Sequence, residues 1–141
     1  GKNYGWPHFA GTASRGLRSE TPLKPAGGVG PPSGKLGAPG FVDPIIESGP
    51  TETWAPAGAA IVGHTLFFGG LRGEALFALD LEHPTTVVKH FAGEFGRIRD
   101  VVRGPDGALY LTTSNRDGRG TPRPGDDRIL RVDPSTVRPT E

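Results

Sequence analysis

AGAAIVGHTLFFGGLRGEALFALDL, residues 57–81, decides the fold. Ala57–Val62 and Thr65–Gly69 are short apolar runs on either side of Gly63-His64, the two-residue signal of a β-hairpin. Ala75–Leu81 follows a turn at Arg72-Gly73, and His83-Pro84 breaks the chain before Thr86–Phe91. A second set begins at Ile98–Arg103, turns through Gly104-Pro105-Asp106-Gly107, and returns along Ala108–Thr113. A polar loop, Ser114 to Asp127, precedes Arg128–Val132. No stretch places apolar residues at helical spacing, so the expected fold is all-β.

The two sets repeat. Leu66-Phe67-Phe68 aligns with Leu109-Tyr110-Leu111, 43 positions on, and Leu76-Phe77 takes the part of Ile129-Leu130. A period of about 40–45 residues with about four strands each is the mark of propeller blades. Residues 57–95 and 96–141 are therefore expected to be two four-stranded blades, with two meanders of a small sandwich as the alternative. A blade buries its faces against its neighbours, so two alone leave apolar faces uncovered. The start at Gly1-Lys2-Asn3-Tyr4, in a chain without Met, likewise points to a piece cut from something longer.

Upstream the character changes. The first 56 residues hold 11 Gly and 9 Pro against nine Leu, Ile, Val or Phe, too few to build a core. Each Pro fixes φ and removes a donor, and each Gly widens the backbone's choices, so residues 1–56 read as a long loop segment. Over the whole 141 residues, 16 basic and 15 acidic side chains leave a net charge of +1, which argues against a general nucleic-acid binder. No apolar run is long enough to span a membrane, and no signal peptide is evident. With no Cys there are no disulfides, thiolate metal sites or Cys nucleophiles.

Gly96-Arg97-Ile98-Arg99-Asp100-Val101 is the sharpest chemical feature. Strand alternation puts Arg97 and Arg99 on one face, with Ile98 and Asp100 on the other. Two guanidiniums side by side need an anion or a carboxylate between them, and Arg's planar fork suits carboxylates. An exposed strand face paired with Glu94 is the simpler reading. Asn3-Tyr4-Gly5-Trp6-Pro7 is either a packing corner or a motif. Arg72, at a strand end, can aim a cation at a channel or merely turn the chain. Thr53, before Trp54, lines a site or simply enters the first strand. Gly30–Leu36 is not a phosphate loop, because Val29 stands where its first Gly belongs and Leu36 where its Ser or Thr belongs. The histidines (His8, His64, His83 and His90) show no ligand spacing.

GKNYGWP, then GRIRDVVRGPDGALYLTTSN and DDRILRV, in that order, resemble the C-terminal part of the soluble aldose (glucose/sorbosone) dehydrogenases dependent on pyrroloquinoline quinone (PQQ). The resemblance runs from Gly1 to Asp133 and implies a partial six-bladed β-propeller that oxidises aldoses at C1, passing hydride to PQQ. It implies that Arg97 and Arg99 contact the tricarboxylate cofactor, and that Arg72 stands for a cofactor-binding Lys. By the same resemblance Thr53 lines the cofactor, and Ser114 stands where the glucose dehydrogenase branch has Asp, with Asn115 and Asp117 as neighbouring substitutes. Tyr4 matches a residue whose backbone carbonyl ligates calcium in that branch. The family's general base is a His in the N-terminal half, and none of the four histidines here occupies that position, so the chain alone is expected to be inactive. Further expectations are a sugar substrate, an external electron acceptor, the remaining blades as partners, and a periplasmic or extracellular location. A non-catalytic propeller binding sugar or protein is the alternative; a metal-dependent lactonase would need Glu, Asp and Asn where arginines stand.

Overall fold

Apolar runs between turn residues become strands, and each observed strand lies within one residue of the bounds read from the sequence. The computed structural model describes residues 44–48 and 51–139. The chain divides into two units, 1–51 and 52–141, and the strands among the described residues lie in the second. The NYGWP motif, Tyr4 included, lies outside the described residues. One antiparallel sheet has the order β1 (Pro56–Val62), β2 (Thr65–Gly70), β3 (Leu76–Asp80) and β4 (Val87–His90). The other has β5 (Ile98–Arg103), β6 (Leu109–Thr113) and β7 (Ile129–Val132).

The repeat holds in register. Phe68 pairs with Phe77 and Gly69 with Leu76 in the first sheet; Leu111 pairs with Leu130 and Thr112 with Ile129 in the second. Phe67, Leu76 and Ala78 from one sheet and Ile98, Val101, Leu109, Leu111 and Val132 from the other share one apolar core. The opposite face of the first sheet is also dry: the Phe68 and Phe77 rings stack at 4.9 Å, with the Trp54 ring 5.1 Å from Phe77. Full burial of a ring such as Phe77 contributes about 1.5–3 kcal/mol. Gly69 lets β2 approach β5, because a Cβ there would sit 2.7 Å from the Ile98 carbonyl oxygen.

Two sheets packed face to face in sequence order are consistent with part of a propeller; the described residues form no closed ring. Among the described residues the second sheet has three strands, not the expected four. After β7 the Asp133 side chain accepts the Ser135 N–H and caps a 3-10 turn, Pro134–Thr136, where a fourth strand would otherwise begin. Proline at its start removes a ladder donor and stops strand pairing there. In the second sheet Ile129 occupies the place of buried Leu76 in the repeat, yet is 74% exposed.

Candidate anion site

Antiparallel pairing brings the ends of several strands to one side of the sheets. The approach to β1, the β2–β3 turn, the start of β5 and the end of β6 all lie at that end. The Arg72 and Gly73 N–H groups both donate to the Trp54 carbonyl, tying the β2–β3 turn to the segment that carries Thr53. Thr53 and Arg72 are both exposed there. The Leu71 carbonyl, in that turn, accepts Arg97 Nη1 at 3.1 Å. All five described candidates are linked: Thr53 and Arg72 through the backbone, and Arg97, Arg99 and Ser114 through side-chain hydrogen bonds.

Arg97 is 8% exposed. Its Nε donates to the Ser114 carbonyl at 3.0 Å and its Nη2 to Asp117 Oδ2 at 3.1 Å. Arg99 lies outside this cage with its side chain 48% exposed, and its Nη2 reaches the same Asp117 oxygen at 3.2 Å. Ser114 Oγ donates to that oxygen as well, at 3.0 Å. The two guanidiniums therefore converge as alternation requires, and the carboxylate between them belongs to the chain itself.

Simple alternation fails one residue further on. Ile98 pairs with Thr113 but Asp100 with Thr112, which leaves Arg99 as the extra residue of a β-bulge. Ile98 and Val101 both point into the core, three positions apart, and Asp100 is exposed, so Asp100 does not share the face of Ile98. The bulge re-aims Arg99 toward solvent without turning Ile98 out of the core. Glu94 is not the partner of the arginines; its carbonyl accepts Arg123 Nη1 instead.

The loop after β6 is held by a residue whose role the sequence leaves open. Asn115 is 2% exposed; its Oδ1 accepts the Arg97 N–H and its Nδ2 donates to the Phe95 carbonyl and to Asp126 Oδ2. Gly96 has φ +71° and passes so close that a Cβ would lie 2.4 Å from Asn115 Oδ1, which excludes any side chain there. Asp117 is legible in the sequence only as a neighbouring substitute for Ser114; its place between two arginines depends on a loop whose path no motif announces. Among the described residues, no group of three or more His, Asp or Glu is arranged to hold a metal ion.

The Arg119 N–H, then the Ser114 hydroxyl and Arg97, hold the Asp117 carboxyl down to about 2, against the opposing cost of its partial burial. The Arg123 N–H foremost lowers Asp126, and the Arg131 guanidinium foremost lowers Asp106. A carboxyl whose folded pKa is depressed stabilises the fold above its unfolded value and loses that contribution as pH falls. The thermal unfolding temperature is therefore expected to drop from roughly pH 5 toward pH 2, most steeply below pH 4, as these groups protonate. A flat melting temperature across that window would show that the pairs contribute nothing.

A bulged strand at one end of two blade-like antiparallel sheets, with two arginines converging on Asp117, defines an all-β scaffold consistent with part of a propeller. The chain belongs to the glucose/sorbosone dehydrogenase family, whose model matches residues 1–131. Among solved structures it is similar to an oxidoreductase described as a glucose dehydrogenase from Thermus thermophilus, at 38% identity and TM-score 0.69. It is also similar to the PQQ-bound aldose sugar dehydrogenase of Streptomyces coelicolor, at 34% identity and TM-score 0.68. Each match covers 94% of this chain and 34% of the other. An uncharacterized protein of Synechocystis sp. is 30% identical over 128 residues, covering 84% of this chain and 28% of that protein. The chain thus spans about a third or less of the length of these relatives.

Proposed function

We propose that this chain forms one wall of the cofactor site of a PQQ-dependent sugar dehydrogenase that oxidises aldoses at C1. The observation that carries this reading is Arg99: an arginine beside a second, buried arginine, with its Nε and Nη1 free of hydrogen bonds among the described residues. Each of those two donors can be given to a ligand carboxylate as a charge-assisted hydrogen bond. PQQ carries three carboxylates and, when bound, supplies the hydride acceptor.

The chain's own residues divide the work. Arg99 offers its Nε and Nη1 donors to carboxylates, and Arg97, locked by two backbone carbonyls and Asp117, holds the carboxylate that orients Arg99. Arg72 adds an exposed cation at the same end and Thr53 offers a hydroxyl, while the Ser114 hydroxyl, donated to Asp117, helps hold that carboxylate in place. Tyr4 is assigned by family resemblance to a calcium ion. The general base, the electron acceptor's docking face and the remaining blades belong to the rest of the protein, so this chain alone is expected to oxidise no sugar. An exported protein is part of the same reading; among the described residues no helix is long and apolar enough to cross a membrane.

The test is reconstitution of the full-length protein. Titration with PQQ and calcium should yield aldose-dependent dye reduction that saturates with the quinone. A full-length protein that takes up no PQQ would favour a non-catalytic propeller that binds sugar or protein.

A further inference from the structure

We infer that Asp117 is the resident counter-ion of the arginine site, a positioning residue that makes the site selective for ligands with several carboxylates. The inference rests on the proposed function only for the natural ligand's identity. One Asp117 oxygen accepts from Arg97 Nη2, Arg99 Nη2 and Ser114 Oγ, and the other accepts the Arg119 N–H at 2.9 Å. The carboxylate thus fills the gap between the guanidiniums, the position a ligand's single carboxylate would otherwise take. With its side chain 24% exposed and its charge retained far below neutral pH, it is always present as a competitor.

The consequence is arithmetic in charge. Two arginines alone present +2; with Asp117 the cluster presents +1 and the two remaining Arg99 donors, Nε and Nη1. A monocarboxylate gains one of those donors and little else, while it is repelled by the neighbouring carboxylate. A tricarboxylate engages the free Arg99 donors and spreads its remaining charge toward exposed Arg72 at the same end of the sheets. Asp117 also keeps Arg97 and Arg99 from splaying apart, so it sets both the shape of the site and its threshold.

The experiment uses the full-length protein without cofactor and two simple probes, citrate and acetate, titrated calorimetrically at fixed ionic strength and neutral pH. Asp117→Asn keeps the shape and removes the charge. It is expected to bind both probes roughly three- to ten-fold more tightly, acetate gaining proportionally more, while its melting temperature falls. A side chain with only a structural role would lower stability and weaken binding together. Asp117→Glu restores the charge and should bring the affinities back toward wild type; Asp117→Ser replaces the Asn variant if that one does not fold. Unchanged or weaker probe binding in the neutral variants overturns the inference, as does a wild-type protein that binds neither probe. Charge-dependent citrate binding in a protein that takes up no PQQ supports the inference and sinks the cofactor assignment alone.

Discussion

Arg99→Ala in the full-length protein is expected to weaken PQQ binding by about a hundred-fold while shifting the melting temperature by only roughly a degree or two. Arg97→Ala is expected to do the reverse in emphasis, lowering stability by about 2–4 kcal/mol, with quinone binding falling as a consequence. The asymmetry follows from what each guanidinium touches. Arg99 is half exposed and shares a single nitrogen with Asp117 and Ser114, so its loss leaves no buried group stranded. Arg97 is enclosed, and without it the Leu71 and Ser114 carbonyls lose a charged donor and Asp117 loses its more buried partner. Thermal unfolding and quinone titration on the same two variants check both halves. A pair that lost binding equally at equal stability would mean that both arginines face the ligand, as the sequence alone suggests. Arg99→Ala with full quinone affinity would remove the central contact of the proposed site.

That distinction between the two arginines marks where the sequence stops being legible. Apolar runs between Gly-containing turns mark the seven strands of the described residues: β2 and β3, buried on both faces, read as continuous apolar stretches, while β6 alternates. The 43-residue repeat is visible for the same reason: Phe68 and Leu111 fill equivalent places in two sheets of equal register. Convergence of Arg97 and Arg99 is readable from their spacing. The bulge is not, since one extra residue in a strand leaves no mark on composition; its trace is the three-residue step from Ile98 to Val101. The end of the second sheet misleads because Ile129-Leu130 resembles Leu76-Phe77, while Asp133-Pro134, just beyond β7, caps a turn instead of leading to another strand. Asp117 stays hidden because a 14-residue loop rich in Gly, Arg and Asp has no periodicity to read. The carboxylate that the arginine pair demands is thus supplied by the chain itself, and the cofactor reading depends on the remaining Arg99 donors, Nε and Nη1.

Loss of Asn115 tests whether that loop, more than the strands, builds the site. Asn115→Leu keeps roughly the same volume and is expected to cost about 3–5 kcal/mol, because it strands the Arg97 N–H and the Phe95 carbonyl in a dry place and strips a donor from Asp126. No water can replace these bonds easily: Gly96 and Gly120 press so close that a Cβ on Gly120 would lie 2.7 Å from Asn115 Cα and 2.8 Å from Arg97 Cδ. Asn115→Asp separates polarity from charge. It keeps an acceptor for the Arg97 N–H but sets a carboxylate beside Asp126, whose side chain is 2% exposed, and close to Asp127, whose Oδ1 accepts the residue 115 N–H at 2.6 Å. Burial and like charges raise the new carboxyl's pKa in the folded protein, so its penalty is small below its unfolded value and grows as pH rises. The stability gap between Asn115→Asp and wild type should therefore widen from about pH 4 to pH 7, while that of Asn115→Leu stays level. Quinone binding should fall in both variants in step with displacement of Arg97, because the Arg97 N–H is the point at which the loop grips the strand. Full stability together with full binding in Asn115→Leu would place the site's rigidity in the sheets alone and leave the loop as a passive cover.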